Sequence, residues 1–433
     1  MKELVSKLTM YRNLGKGSPL SKLAKAFRNI DNSECSKNEI LNQVNTEAYK
    51  IVELANACKF ESDIWANYIV YIIASNENPF SLKAERRKFV DDTLKSFAIN
   101  DFEVFIKLIN YDFSIIEEKL GTNCFSLLRN YKSIDNDKSL DNHSLSQRIN
   151  ELYHLLKGVN NVNEFYDIVT NFYFKYGVGD FGLNKAFRIS AFKDEYLITP
   201  IVGTSNITFS DLIGYEEQKN KLIKNTEAFV NGKPANNALL YGDVGTGKSS
   251  SIKSILNMFY DKGLRMIEVY KYDYEYLPEI ISILKNRNYR FIIYLDDLSF
   301  EKNETEYKYL KAVIEGGLEV KPENVLIYAT SNRVHLFHET FSDRQEVEKD
   351  DVHISDTLAE HTSLASRFGL TLAYYNVRRA EFFDMVCEIA KRYKELSNVS
   401  KDELIKKATL WNQHHNDLSG RSAQQFINDL LIN

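Results

Sequence analysis

The sequence predicts a chain in three parts: a mainly helical N-terminal domain over 1–205, an α/β domain on a parallel sheet over 206–370, and a small helical block over 371–433. Three observations predict it. Before about residue 131 Gly and Pro are sparse, and apolar side chains recur every three or four positions. Beyond about Asn206 short apolar runs alternate with helical segments, the pattern of parallel strands joined by crossover helices. From about Thr371 the helical period returns and lasts to Asn433.

Composition sets the frame. With 433 residues, 44% hydrophobic and 27% charged, the chain can bury a large core in two or three domains, which excludes disorder of the whole. Eighteen glycines and six prolines exclude collagen-like and proline-rich chains. The 55 basic and 60 acidic side chains cancel to −5, so any contact with nucleic acid or an anionic membrane must be local. Cys35, Cys58, Cys124 and Cys387 have no metal-ligand or redox spacing, as expected of reduced, structurally buried thiols. The most hydrophobic stretch, Ile64 to Ala74, is interrupted by Asn67 and is far short of a membrane span, and the Met1 end lacks the apolar run of a signal peptide. The expectation is a cytoplasmic protein with no integral membrane segment.

In chain order, Leu20, Leu23, Ala24, Phe27 and Ile30 mark an early amphipathic helix. The first thirty residues carry Lys2, Lys7, Arg12, Lys16, Lys22, Lys25 and Arg28 against Glu3, suiting either an anionic partner such as nucleic acid or a solvated helix face, the commoner arrangement. The polar stretch 133–146 reads as a loop and an internal break in the N-terminal domain. Helical periodicity resumes through Leu152, Leu155, Leu156 and Phe165. A Gly-containing stretch, Gly177 to Gly182, then leads to Ile198–Val202 and a turn at Gly203. Predicted strands are Ala238–Tyr241, Leu264–Val269, Phe291–Leu295 and Val325–Ala329, with crossover helices at Ser250–Phe259, Leu277–Lys285 and Tyr307–Ile314.

Gly242-Asp243-Val244-Gly245-Thr246-Gly247-Lys248-Ser249 satisfies G-x-x-x-x-G-K-S/T, with a predicted strand before it and a helix, opening with Ser250, after it. The glycines let backbone N–H groups curl round a β-phosphate at a helix N-terminus. Lys248 neutralises phosphate oxygens and the Ser249 hydroxyl ligates Mg²⁺. Phe291 to Leu295 is an apolar strand running into Asp296 and Asp297. Downstream of such a loop, Asp296 is expected to hold Mg²⁺, and Asp297 to orient or deprotonate the attacking water, with Glu301 as a nearby rival. The strand Asn324–Ala329 ends in Thr330-Ser331-Asn332-Arg333, which puts short polar side chains on the ligand-binding edge; Asn332 suits either a γ-phosphate contact or a turn. No Asn-Lys-x-Asp element for guanine occurs, so ATP is the expected nucleotide.

The order of these elements resembles the AAA+ branch of the P-loop NTPases. Asp211-Leu212-Ile213-Gly214-Tyr215 resembles the segment that packs on adenine, which puts Ile213 and Gly214 at the base. Ser366-Arg367-Phe368-Gly369-Leu370 resembles the box carrying an arginine finger, with Arg344 as a rival. Gly420-Arg421-Ser422 resembles sensor 2, which implies that Arg421 reaches phosphate from the lid. The resemblance covers about Ile207 to Asn433. The phrases LLYGDVGTGKSS, YLDDLSFE, IEGGLEVKPENVLIYATSNR and SRFGLTL are similar to a bacterial AAA+ family known only as a domain of unknown function, related here to the initiator and helicase-loader branch. The resemblance implies an ATP hydrolase, a homo-oligomer completed by a neighbour's Arg367, and remodelling or loading of an unknown protein client. The alternative is a nucleotide-dependent nucleic-acid loader or scaffold with slow or unused hydrolysis.

Tyr270, Tyr272, Tyr274 and Tyr276 suit either a gripping loop or, more commonly, a half-buried strand extension. His335, His338, His414 and His415 lack a supporting cysteine or carboxylate cluster and read as surface positions, and the acidic run 346–351 as a solvated loop.

Overall fold

A computed structural model describes residues 1–15, 17–30, 36–87, 89–132, 143–192, 195–300, 306–315, 322–332, 364, 366–415 and 417–432. Arg344, Glu301, His335, His338, the acidic run 346–351 and most of the loop 133–146 lie outside them. The chain divides into two compact units, Met1–Lys185 with Pro200–Thr204, and Ala186–Thr199 with Ser205–Asn433.

The first unit is helical: α1 Lys2–Ser6, α2 Pro19–Asn29, α3 Lys37–Ala57, α4 Ile64–Ser75, α5 Pro79–Arg86, α6 Asp92–Ile109, α7 Ser114–Leu120, α8 Cys124–Arg129, α9 His143–Leu156, α10 Val162–Tyr176 and α11 Gly179–Leu183. Local sequence starts these helices. Ser36 and Glu39 form a reciprocal capping box on α3, and Asn78 caps α5, whose first residue is Pro79. The core gathers Trp65, Phe80, Phe102, Phe105, Phe125 and Phe165, all fully buried. Two polar side chains inside it find partners: Asp101 accepts from the backbone N–H groups of Thr9, Met10 and Tyr11, and the Trp65 indole donates to the Leu108 carbonyl at 2.8 Å. On α2 the buried residues are Leu20, Leu23, Ala24, Ala26 and Phe27, while Lys22, Lys25 and Arg28 are exposed. Those cations occupy the solvated face of a packed helix.

The second unit is built on seven strands: β1 Ala186–Phe192, β2 Glu195–Pro200, β3 Ala238–Gly242, β4 Leu264–Glu268, β5 Arg290–Leu295, β6 Val325–Ser331 and β7 Leu370–Tyr374. Their order is β2-β1-β4-β5-β6-β3-β7, and every pairing from β1 to β7 is parallel. Helices α12 Glu216–Val230, α13 Lys248–Phe259, α14 Leu277–Leu284 and α15 Glu306–Glu315 intervene. The central strands are buried along almost their whole length, with apolar runs at Phe291–Leu295 and Val325–Ala329, as strands covered on both faces require. This is the α/β P-loop NTPase fold. Strand β6 lies between β3 and β5, with Leu240 opposite Thr330 and Leu295 opposite Ala329. The ends of three strands therefore share one edge. Helices α16 Arg379–Ala390, α17 Lys401–His415 and α18 Gly420–Ile432 close round a separate core of Phe382, Met385, Val386, Ala408, Phe426 and Ile427.

Three expectations need correction. Residues 186–199 belong with the sheet rather than with the helices before them: β1 pairs with β4, Phe187 opposite Ile267. Residues 370–374 form β7 beside β3 before the terminal helices begin; five residues at the end of the strand order leave too short a pattern to read. The tyrosines after β4 are not a strand extension. Lys271–Tyr276 is a 3-10 turn that buries Tyr274 near Phe300 and leaves Tyr272 exposed.

Candidate functional site

The glycine-rich loop leaves β3 at Gly242, whose φ of 131° suits glycine alone. A Cβ there would lie 2.1 Å from the Tyr374 carbonyl oxygen, so β3 and β7 can approach only because the side chain is absent. The Asp243 N–H donates to that same oxygen at 2.8 Å, and the Asp243 carboxylate accepts from the Asn376 N–H at 2.7 Å. The loop is thereby pinned to the strand beside it. Thr246 Oγ1 donates to the Asp243 carbonyl at 2.8 Å, and Gly247 precedes the first turn of α13.

Lys248 is 6% exposed. Its Nζ donates to the carbonyls of Gly242 (2.8 Å) and Asp243 (2.6 Å), so the loop cradles its own cation. Burial pulls the Lys248 pKa below the ordinary lysine value, against the opposing pull of Asp243 and Asp297. Ser249, one residue on, donates its hydroxyl to Asp296 Oδ1 at 2.9 Å, joining the loop to the end of β5.

Strand β6 supplies the third contact. Thr330 Oγ1 donates to Asp296 Oδ1 at 2.6 Å and accepts the Asp297 N–H at 3.0 Å, while the Thr330 carbonyl accepts the Leu298 N–H at 2.7 Å. Asn332 Nδ2 donates to Asp297 Oδ1 at 2.7 Å. Asp297 has a left-handed backbone, φ 52°, uncommon outside glycine. Burial opposes ionisation of Asp296, but the Thr330, Tyr294 and Ser249 hydroxyls together with the Lys253 charge outweigh it, and its pKa falls below the ordinary aspartate value.

Around these groups lies a cleft of about 610 Å³, within the usual range for a small-molecule site. Ile213, Val244, Lys248, Ser249, Asp296, Asp297, Asn332 and Arg421 line it. On the core side, Tyr215 donates its hydroxyl to the Tyr375 carbonyl at 2.6 Å, and Gly214 approaches Met385 so closely that a Cβ would lie 2.7 Å from its methyl carbon. Arg392 holds the Ser210 carbonyl at 2.8 Å and the Asp211 carbonyl at 3.3 Å. From the C-terminal helices, the Arg421 N–H donates to the Gly245 carbonyl at 3.2 Å.

A pair consisting of a serine hydroxyl and a carboxylate oxygen 2.9 Å apart at the lip of a phosphate-type loop is a hard-oxygen donor set. It fits Mg²⁺, which takes one or two protein ligands and completes its shell with water and phosphate. Among the described residues no cluster of three or more His, Cys, Asp or Glu offers a richer metal site.

The family comparison matches residues 183–433 to a model described as "Protein of unknown function (DUF815)". The chain belongs to this family. No curated protein matches the sequence. Among solved structures, three single-substitution variants of RuvB from Thermotoga maritima align over 52% of this chain at 15–16% identity. They are covered over 72–73% of their own length, with a TM-score of 0.29.

Of the residues singled out in this family member's sequence, the structure gathers Lys248, Ser249, Ser250, Asp296, Asp297, Asn332, Arg421 and Ile213 at one cleft. Gly214 lines an adjoining hollow with Lys219 and Arg392. Arg367 is exposed and is not among the cleft's lining residues. The roles of Thr330 and Arg392 escaped sequence reasoning. Thr330 stood inside the polar end of β6 as a signal, whereas Arg392 follows α16 with nothing local to mark it.

No helix among the described residues is long and apolar enough to cross a membrane. Cys58 is buried, which pushes its thiol pKa up to about 12, and Cys124 and Cys387 are free thiols.

Proposed function

We propose that this protein is an AAA+-type ATPase that binds ATP with Mg²⁺ in the cleft between the strand ends and the C-terminal helices, and hydrolyses it. The observation that carries this reading is the convergence of Lys248, the Ser249–Asp296 pair and the Asp297–Asn332 pair on one sheet edge. Backbone N–H groups of residues 243–249 would hold the phosphates, with Lys248 exchanging its two carbonyl partners for phosphate oxygens. Ser249 and Asp296 would hold the metal, which when bound neutralises charge on the β- and γ-oxygens. Asp297 would orient the attacking water and take its proton, and Asn332 would fix that carboxylate. Ile213 and Gly214 would lie by the adenine, and Arg421 would meet phosphate from the lid. Arg367, exposed and outside the cleft, would serve a neighbouring copy, in a homo-oligomer that couples turnover to a protein client.

Nucleotide binding and phosphate release test the reading together. Lys248→Ala should abolish binding, whereas Asp297→Asn should bind as wild type and lose turnover. Wild-type turnover in Asp297→Asn would move the base elsewhere. Arg367→Ala should lose phosphate release in the assembled state; a monomer hydrolysing equally well in both forms would remove the finger in trans.

A nucleotide-dependent scaffold with slow hydrolysis, acting on nucleic acid, is the second reading. It would use the same cleft, with Asp297 held by Asn332 and not acting on water. A single-turnover rate far below the nucleotide dissociation rate, with a salt-sensitive DNA gel shift, would support it.

A further inference from the structure

Thr330 addresses both aspartates after β5, Asp296 through its carboxylate and Asp297 through its backbone N–H. A threonine hydroxyl has one proton to give and lone pairs to receive. Here the proton goes to Asp296 Oδ1 at 2.6 Å, and a lone pair takes the Asp297 N–H at 3.0 Å. The Thr330 carbonyl takes the next N–H, that of Leu298, at 2.7 Å. Two consecutive backbone donors of the turn after β5 thus end on one residue of β6, and Thr330 itself is 2% exposed. The turn contains the left-handed Asp297, a conformation that persists only where surrounding bonds over-determine it.

Ser249 also donates to Asp296 Oδ1, at 2.9 Å. Its oxygen is the one expected to turn toward a metal, so it is a partner that changes role on loading. Thr330 is the partner that does not.

We propose that Thr330 is a positioning residue that sets the orientation of Asp296 and the backbone of Asp297 together, and so couples Mg²⁺ affinity to the placement of the water-orienting carboxylate. The inference rests on the ATPase reading and deepens it. Loss of the hydroxyl removes the shorter of the two bonds from Thr330 and Ser249 to Asp296 Oδ1 and takes the acceptor from the Asp297 N–H. Partners of this kind, one bond behind a metal ligand, are worth about 10–100-fold in metal affinity or activity.

The test uses the full chain and two variants. Thr330→Val keeps shape and removes the hydroxyl; Thr330→Ser keeps the hydroxyl. Binding of a fluorescent ATP analogue is measured in EDTA and across a Mg²⁺ titration, Mn²⁺ binding is followed by its paramagnetic resonance signal, and phosphate release gives kcat and KM. In Thr330→Val the metal-free nucleotide affinity should equal wild type, the Mg²⁺ and Mn²⁺ half-saturation concentrations should rise about tenfold or more, and kcat should fall with KM for ATP unchanged. Thr330→Ser should restore the metal curves. If Thr330→Val fails to fold, Thr330→Cys, which offers only a weak donor, takes its place with the same outcomes. Wild-type metal curves in the hydroxyl-free variant, with wild-type protein binding nucleotide normally, overturn this inference alone. No nucleotide binding by wild type overturns the ATPase reading and this inference with it.

Discussion

Replacing Gly242 by alanine should break the nucleotide loop by breaking the seam between β3 and β7. The new Cβ would lie 2.1 Å from the Tyr374 carbonyl oxygen, where ordinary contact begins at 3.4 Å, so the strands must part by more than an ångström. Parting them stretches the 2.8 Å bond from the Asp243 N–H to that oxygen, worth about 0.5–1.5 kcal/mol. The φ of 131° adds about 1–3 kcal/mol of backbone strain for any residue with a side chain, and forced overpacking about the same again. The expected loss is about 3–7 kcal/mol from the sheet-bearing unit, a large share of ordinary domain stability. Gly263→Ala is the control, because its φ is 88° but nothing lies within 4 Å of the added carbon. It should cost only about 1–2 kcal/mol. Urea titrations followed by far-ultraviolet circular dichroism read both, with the fluorescent ATP analogue reporting the loop. A Gly242→Ala variant no less stable than Gly263→Ala, and still binding nucleotide, would refute the claim that close approach, in addition to backbone strain, requires this glycine.

Other expectations concern the rest of the cleft. Arg392→Ala frees the Ser210 and Asp211 carbonyls and should weaken ATP binding about tenfold while narrowing the preference for ATP over GTP; an unchanged ratio would place the base elsewhere. Asp296 has a folded pKa below its ordinary value of 3.8. It therefore contributes stability that is present above that value and is lost as pH falls through the lowered one. Acid unfolding of Asp296→Asn should lack this component, and superimposable acid profiles would count against the hydrogen-bonded carboxylate. The chain has two tryptophans, Trp65 in the first unit and Trp411 in the C-terminal helices, where it stacks on His415 at 3.7 Å. In a Trp65→Phe background, saturating nucleotide should change Trp411 emission, and a silent Trp411 would mean that these helices do not respond.

The sequence made the phosphate loop and the strand before it legible because glycine and lysine at fixed spacing have few other uses, and because Phe291–Leu295 and Val325–Ala329 are unbroken apolar runs. Their order in the sheet was not legible. Register and neighbours are set by packing over long sequence separations, so nothing local in Ala186–Phe192 or Leu370–Tyr374 announced that they extend the same sheet. The site divided the same way. Lys248, Ser249, Asp296 and Asp297 could be named from motifs. Arg392, reaching back about 180 residues to Ser210, depends on where a helix end falls in space. Thr330 was visible as a polar residue but not as a clamp, since its role exists only once β6 is known to stand beside β5.

That placement has a mechanical consequence. Thr330 and Asn332 are two positions apart at the end of one strand, the spacing that puts side chains on the same face. Thr330 bonds to Asp296 and the Asp297 backbone, and Asn332 bonds to the Asp297 side chain. The two carboxylates are thus tied to β6, whereas Lys248 and Ser249 are tied to the loop leaving β3, the strand on its other side. The loop crosses to the carboxylates through the Ser249–Asp296 bond, a surface contact that a metal ion would replace. Arg421 belongs to a third part, helices with their own hydrophobic core, meeting the loop through the bond from its N–H to Gly245. A ligand filling the cleft would touch all three parts at once. Only its differential contacts with their open and closed arrangements can shift them. On the ATPase reading proposed above, the γ-phosphate would meet Lys248, Asn332 and Arg421 together, and its loss would be the event that changes the angle between sheet and helices.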